Sequence, residues 1–161
     1  MLRNAVAVCM LWFVAIAHAQ GPADDFRGLK WGSKPAKGMK LDRTFAGMQQ
    51  YTLTGDDPVV LGKAASSILY SYFRGGLCSV DVRWPLIILT DVDELFVSAK
   101  RFWGETNVKE GERFKDALWL SASEATLGNV VAYKNVGDKW EVYLSMRNVN
   151  CRKEASERSG L

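Results

Sequence analysis

Hydrophobic and polar residues alternate along much of the chain, which is the pattern of β-strands with one buried face. The clearest case is Ser67–Phe73 followed by Leu77–Trp84, with the turn residues Arg74-Gly75-Gly76 between them. Pro85 is predicted to end the second of these strands, because it has no backbone N–H to donate. A further alternating run covers Lys139–Arg147. Shorter strands are predicted at 39–45, 48–53, 118–121 and 130–134.

One segment has helical periodicity instead. Over about residues 90–103 the apolar residues fall on one face of a helix, namely Val92, Leu95, Phe96, Ala99, Phe102 and Trp103. Phe102 and Trp103 complete this stripe, so they are assigned to the core. Thr90 is predicted to cap this helix, with Asp93 three residues later, and Gly104 to end it. Strands precede and follow the helix. The predicted fold class is therefore α+β, an antiparallel sheet of about 5–7 strands with one main amphipathic helix packed on one face.

Residues 1–19 have the layout of a cleavable secretory signal peptide. Arg3 supplies a positive charge, Ala5–Ala17 contains no charged residue, and Ala17-His18-Ala19 places small residues at the two positions that a signal peptidase reads. The apolar run is shorter than the ~20 residues needed to cross a bilayer, so no stable membrane insertion is expected. The predicted organisation is a signal peptide at 1–19 and a single α+β domain at 20–161, which ends in a polar tail at about 149–161. We expect the protein in the periplasm or secreted.

Removal of the signal peptide would change the chemistry of the chain. It takes away His18, the only histidine, so the mature protein cannot form a Ser-His-Asp or Cys-His site or offer an imidazole to a metal. The loss of Arg3 leaves 20 basic against 18 acidic residues, a net charge too small to indicate nucleic-acid binding. The sequence also contains no phosphate-binding glycine loop and no CxxC pair. No catalytic residue, metal site or cofactor is predicted.

Cysteines and carboxylates are the remaining reactive groups. Cys78 and Cys151 are expected to form a disulfide in an oxidising compartment, the alternative being two separate thiols. The acidic clusters are Asp24/Asp25, Asp56/Asp57 and Asp91/Asp93/Glu94. Because two carboxyl groups about 5–10 Å apart suffice for glycoside cleavage, a hydrolase acting on cell-wall glycan is one alternative function. Each cluster also has a structural explanation, as part of the chain terminus, a turn or a helix start.

Four aromatic residues are candidates for a binding surface. Trp31 lies among glycines near the N-terminus, and Tyr70, Tyr72 and Tyr143 belong to alternating strands, so we expect one sheet face to present tyrosines to solvent. The partner would be an envelope protein or a small ligand. The same face could instead be covered by a second copy in a homodimer. The predicted function is an exported, non-catalytic binding or interaction protein, and a self-assembling structural envelope protein is the other alternative.

Three motifs resemble those of a known group of proteins. They are Phe26-Arg27-Gly28-Leu29-Lys30-Trp31-Gly32, the hairpin Tyr72-Phe73-Arg74-Gly75-Gly76-Leu77, and a helix end at Phe102-Trp103-Gly104 ahead of Trp119. Together they resemble small exported bacterial proteins of unknown function that carry an N-terminal Phe-x-Gly-x-x-Trp-Gly segment. The resemblance implies a bacterial, periplasmic setting. It carries no catalytic residues to this sequence.

Overall fold

The computed structural model describes residues 22–45, 47–151 and 154. The predicted signal peptide at 1–19 lies outside the described residues, as does most of the predicted tail at 149–161. Within the described part of the chain, the elements in order are β1 (Asp25–Phe26), β2 (Leu29–Lys30), β3 (Met39–Phe45), β4 (Met48–Leu53), β5 (Val59–Val60), β6 (Lys63–Ala64), β7 (Ser67–Phe73), β8 (Gly76–Ile88), α1 (Leu89–Trp103), β9 (Val108–Gly111), β10 (Phe114–Leu120), β11 (Thr126–Lys134) and β12 (Lys139–Asn148).

The described elements form one large antiparallel sheet and two small hairpins. The large sheet has eight strands in the order β3-β4-β7-β8-β12-β11-β10-β9, and the hairpins are β1-β2 and β5-β6. Within the large sheet, strands that are consecutive in sequence pair with each other except at two places. Strand β4 pairs with β7 across the β5-β6 hairpin, and β8 pairs with β12 in a register that places Val82 opposite Leu144. Helix α1 makes the connection from β8 to β9 and packs on one face of the sheet. The predicted combination of an antiparallel sheet with one main helix is thus confirmed.

The number of strands differs from the predicted 5–7. Strand β9 was not predicted, because its four residues form a short edge strand without alternating polarity. Pro85 does not end β8, which continues to Ile88 through an irregularity in its pairing with β12. At that point Trp84 lies opposite Val142 and Ile87 opposite Trp140, so Pro85 lies where the regular register is interrupted. A proline is tolerated in such a place because no ladder hydrogen bond is required of it.

Helix α1 buries the predicted apolar stripe only in part. Val92, Leu95, Phe96 and Ala99 are buried, whereas Phe102 is 62% exposed, so its assignment to the core is wrong. At 100° per residue Phe102 lies about 80° around the helix from Val92, at the margin of the buried stripe. The helix begins at Leu89 directly after β8, and Ile88 precedes it without a side-chain cap, so Thr90 is not the cap. Gly104 ends the helix as predicted, with φ +90° and its N–H donated to the Lys100 carbonyl at 2.8 Å.

The two faces of the large sheet have different surroundings. Helix α1 and both small hairpins pack on one face, where they bury most of the core. The opposite face, which we call the open face, carries partly exposed side chains such as Leu118, Tyr133 and Tyr143. The predicted disulfide is present between Cys78 in β8 and Cys151, with their Cα atoms 5.6 Å apart. None of the helices in the described ranges is long and apolar enough to span a membrane.

We expect the disulfide to stabilise the fold by about 2–4 kcal/mol, because it closes a loop across 73 residues. The double variant Cys78→Ser, Cys151→Ser should therefore unfold at a lower urea concentration than the oxidised protein. Reduced wild-type protein provides the control and should match the variant. Titration of two free thiols per mature chain in unreduced, denatured protein would contradict the prediction.

The helix also offers a matched pair of phenylalanines. Phe96 is 5% exposed and Phe102 is 62% exposed. Phe96→Ala should lower the free energy of unfolding by about 3–5 kcal/mol, because it leaves a cavity in the core. Phe102→Ala should change it by less than about 0.5 kcal/mol. Urea unfolding of both variants measures the difference, and a similar loss in the two would place Phe102 in the core after all.

Candidate functional site

A cleft of about 550 Å³ opens on the helix-covered side of the sheet. It lies between the last turn of α1 and the two small hairpins, with a residue of β12 also lining it. Its lining is mainly apolar, formed by Ala23, Phe26, Val59, Val60, Leu61, Phe102, Trp103 and Met146, and Asp25 and Arg27 add polar groups. Small-molecule sites in proteins typically have volumes of about 300–1,000 Å³ and an apolar lining with a few polar groups. The cleft has these properties.

Two tight turns shape the hairpin wall of the cleft. Arg27 and Gly28 connect β1 to β2, and both have positive φ, at 54° and 79°. Leu61 and Gly62 connect β5 to β6 in the same way, with φ of 52° and 81°. Two consecutive residues with positive φ are characteristic of the type I′ turns that join strands in tight hairpins. Leucine rarely adopts this conformation, and here it places Leu61 at the cleft.

Arg27 holds the two hairpins together. Its guanidinium donates to the Asp56 carboxylate at 2.7 Å, to the Asp57 carbonyl at 2.5 Å and to the Val59 carbonyl at 2.6 Å. The second Asp56 oxygen accepts a hydrogen bond from the Tyr70 hydroxyl at 2.6 Å. Burial raises the pKa of Tyr70 above its ordinary value, and the bond to the Asp56 carboxylate raises it further. The hairpin wall is therefore fixed to the sheet by a charged, hydrogen-bonded network.

The second hairpin is also attached to the start of the helix. The Lys63 ammonium lies 2.7 Å from a carboxylate oxygen of Asp91 and 2.7 Å from one of Glu94. These two carboxylates, Asp91 first, raise the pKa of Lys63. The indole N–H of Trp84 donates to the Lys63 carbonyl at 3.3 Å. Contacts on both sides thus hold the β5-β6 hairpin in place beside the cleft.

Trp103 forms the opposite wall. Its ring meets that of Trp119 edge to face, with centroids 5.3 Å apart, and the Trp119 indole donates to the Gly104 carbonyl at 2.8 Å. A Cβ atom at Gly128 would lie 3.2 Å from the Trp103 ring and 2.9 Å from Pro22. Glycine at this position therefore allows Trp103 to lie close against β11. Phe102, next in the helix, remains exposed at the cleft.

The structure does not bring the four predicted surface aromatics together. Tyr70 and Tyr72 are 1% and 0% exposed, so the expectation that they face solvent is wrong. Tyr70 pairs with Val80 and therefore points to the helix-covered face, where its hydroxyl bonds Asp56. Tyr72 donates to the Met39 sulfur at 3.1 Å. Tyr143 is 38% exposed and lies on the open face.

Trp31 is partly exposed, and it also helps to attach the N-terminal segment to the large sheet. Its indole N–H donates to the Thr126 hydroxyl at 2.7 Å, and this hydroxyl donates to Asp24 at 2.8 Å. Hydrogen bonds from Ser123 first, and then from Thr126, lower the pKa of Asp24. The N-terminal segment is thereby attached to the start of β11. Trp31 also lines a smaller pocket of about 270 Å³ beside the disulfide.

The predicted carboxylate clusters are engaged in structural contacts. Asp24, Asp56, Asp91 and Glu94 have the partners described above, and Asp93 lies 2.6 Å from the Lys115 ammonium. Asp57 accepts from the Val59 N–H at 2.9 Å, and Asp25 accepts from the Gly28 N–H at 3.1 Å. Of the described residues that line the cleft, Asp25 alone is acidic. Nowhere in the described ranges do three or more His, Cys, Asp or Glu side chains form a group that could hold a metal ion.

Sequence reasoning missed most of the cleft. Phe26, Leu61 and Met146 come from segments far apart in the chain, and nothing local indicates that they meet. The Leu61-Gly62 dipeptide has the glycine of a tight turn, which is the one local signal for this wall. Phe102 was assigned to the core for its helical spacing.

Comparison with known proteins does not assign the chain to a family. No protein-family model matches the sequence, and no curated protein matches it. The resemblance to small exported bacterial proteins stays a prediction. The chemistry of the cleft must therefore be interpreted from its own residues.

The Tyr70–Asp56 hydrogen bond should make stability depend on alkaline pH. Because the pKa of Tyr70 is higher in the folded state than its ordinary value of 10.0, its contribution is complete below pH 10 and decreases as the pH rises further. Tyr70→Phe should lower the free energy of unfolding by about 1.5–3 kcal/mol at neutral pH, and the difference from wild type should shrink above pH 10. Urea unfolding across this range measures the effect. Tyr133→Phe, at an exposed position, is the control, and equal behaviour of the two variants would contradict the prediction.

Proposed function

We propose that this chain is an exported, non-catalytic binding protein that holds a small, mainly apolar ligand in the cleft. The observation that carries the proposal is an apolar cleft of about 550 Å³ whose walls are fixed before any ligand arrives. At about 30 Å³ per water-sized group, this volume accommodates roughly 18 such groups. The ligand class is therefore a compact apolar molecule of that size.

Exposed apolar side chains in the cleft provide the driving force for binding. Phe102 is 62% exposed and Val59 is 47% exposed, although both are large apolar residues. Covering such surface stabilises a complex by about 25 cal/mol per Å². Apolar side chains exposed together in a concave site are unusual on a protein that has no partner there. A ligand that contacts Phe102 and Trp103 would remove this surface from water.

The fixed walls support binding without a large ordering cost. Arg27 connects the first hairpin to the second, and Lys63 connects the second to the helix. On the opposite side, the Trp103–Trp119 contact holds the helix end. Preorganised sites favour affinity because fewer side chains and loops must be ordered when the ligand binds.

The same geometry argues for binding over the hydrolase alternative. Glycoside cleavage uses two carboxyl groups facing one bond, whereas Asp25 is the one acidic residue among the described residues lining the cleft. The other carboxylates considered from the sequence are engaged in structural contacts. Export, in the periplasm or beyond, is supported by the signal-like residues 1–19 and by the disulfide between Cys78 and Cys151.

Binding can be tested with the neutral fluorophore N-phenyl-1-naphthylamine, which is apolar and close to the size of the cleft. The purified protein should enhance its emission in a saturable manner with one site per chain. Phe102→Asp should weaken binding by about tenfold or more, because a charge replaces an apolar contact at the cleft. The dissociation constant of the fluorophore is measured by titration of its emission and by competition with unlabelled apolar compounds.

The matched control is Val97→Asp, which adds the same charge to α1 at another exposed position. Val97 is 56% exposed and does not line the cleft. The Val97→Asp variant should bind the fluorophore with the same affinity as the wild type. Equal weakening in the two variants, or emission that never saturates, would refute the cleft as the binding site.

A further inference from the structure

The charged groups of the cleft are confined to one of its walls. Asp25 and Arg27, the charged residues in its described lining, both belong to the β1-β2 hairpin. The β5-β6 hairpin, the last turn of α1 and Met146 of β12 contribute apolar side chains to the lining. A ligand that fills the cleft would therefore meet charge on one side and apolar surface on the others.

The positive charge of Arg27 is already engaged. Its guanidinium donates to the Asp56 carboxylate at 2.7 Å and to the carbonyls of Asp57 and Val59. The other oxygen of Asp56 accepts from the Tyr70 hydroxyl, so this carboxylate is held in place beside Arg27. An anionic group of a ligand would have to compete with Asp56 for the same guanidinium. Arg27 therefore offers little attraction to an anion in the cleft.

The negative charge of Asp25 is much less engaged. This half-buried side chain accepts the Gly28 N–H on Oδ1 at 3.1 Å, and among the described residues no other hydrogen bond reaches its carboxylate. Lys30 lies opposite Asp25 in the hairpin register and is exposed. Exposed lysines contribute little to holding a carboxylate, because water solvates both groups and the lysine side chain is flexible. Asp25 can therefore accept a hydrogen bond from a ligand.

Acidic residues also outnumber basic ones around this wall. Segments 23–30 and 56–63 contain four acidic and three basic residues: Asp24, Asp25, Asp56 and Asp57 against Arg27, Lys30 and Lys63. Lys63 is further held by two carboxylates of the helix. At the end of the helix, Lys100 lies 3.0 Å from Glu105, and neither Lys100 nor the exposed Arg101 lines the cleft. The excess of negative charge beside Asp25 favours a cation there.

We propose that the ligand is an amphipathic amine, whose protonated nitrogen donates to Asp25 and whose apolar part contacts Phe102 and Trp103. This inference rests on the proposed function of the cleft and adds a charged head group to its ligand. Hydrogen bonds between an ammonium group and a carboxylate are stronger than those between neutral groups. The exposed aromatic side chain of Phe102 is compatible with a cation as well, since the faces of aromatic rings attract positive charge. A carboxylate head group, in contrast, would be repelled by Asp25.

The test compares three probes that share one alkyl chain and differ in the charge of the head group. Decylamine is a cation at neutral pH, decan-1-ol is neutral and decanoate is an anion. Each competes with N-phenyl-1-naphthylamine for the purified, oxidised protein at about 0.15 M salt, where distant charges are screened. Decylamine should bind about tenfold more tightly than decan-1-ol, because it makes a hydrogen bond between charged groups. Decanoate should bind less tightly than decan-1-ol.

Asp25→Asn removes the negative charge and keeps an oxygen that can accept the Gly28 N–H. In this variant the ratio of the decylamine and decan-1-ol affinities should fall to about one. Asp138→Asn is the matched control, since it removes the same charge from a fully exposed side chain that does not line the cleft. The ratio in the Asp138→Asn variant should remain that of the wild type.

The outcomes separate this inference from the proposed function. Saturable emission of the fluorophore together with equal affinities of the wild type for decylamine and decan-1-ol would overturn the amine and leave the binding function supported. A preference for decylamine that persists in folded Asp25→Asn protein would also overturn it. Emission that never saturates would refute the cleft as a binding site, and the amine with it. Because the order of the three probes is measured on the wild type, the test holds even if Asp25→Asn fails to fold.

Discussion

The pairing of β8 with β12 is the interaction on which the rest of the structure depends. Strands β3, β4, β7 and β8 follow one another in the chain, with only the β5-β6 hairpin inserted between β4 and β7, and β9 to β12 are joined by short connections, so each group could pair locally. Among the described strands, the β8–β12 ladder alone joins the two groups into one sheet, and it brings together residues such as Arg83 and Glu141 that are 58 positions apart. The disulfide acts at the same junction, because Cys78 lies in β8 and Cys151 follows β12 by three residues. Covalent and non-covalent constraints therefore reinforce each other at the centre of the molecule.

This junction also determines why the two faces of the sheet differ. The chain leaves β8 at the middle of the sheet and must reach the far edge at β9, and α1 makes this crossing over one face. The two small hairpins lie on that same face beside the helix. The cleft is the space left between the hairpins and the last turn of α1, while Arg27 joins the two hairpins and Lys63 attaches the second hairpin to the start of the helix. The cleft and the open face are thus both consequences of a single helical crossover.

Local patterns in the sequence predicted the elements better than the contacts between them. The β7-β8 hairpin and Gly104 at the helix end have local signals, namely alternation, turn residues and a required positive φ, and these predictions were confirmed. The cysteine pairing was also predicted, because only two cysteines follow the signal-like segment. Tyr70 and Tyr72 were misplaced because alternation shows that residues share a face without showing which face is covered. The cleft could not be predicted, since its lining comes from four segments that only the tertiary fold brings together.

The charged groups beside the cleft indicate how its specificity would arise. Arg27 directs its donors at Asp56 and at two backbone carbonyls, and Lys63 is held between Asp91 and Glu94. These charges are engaged in contacts that stabilise the walls, and Arg27 and Asp25 are the charged residues among the described lining of the cleft. A ligand would then meet mainly aromatic and aliphatic surface, whose attraction is non-directional and depends on the area that is buried. Ligands would then be selected by how well their shape and size fit between the fixed walls. Such selection is what we expect of the proposed non-catalytic binding site.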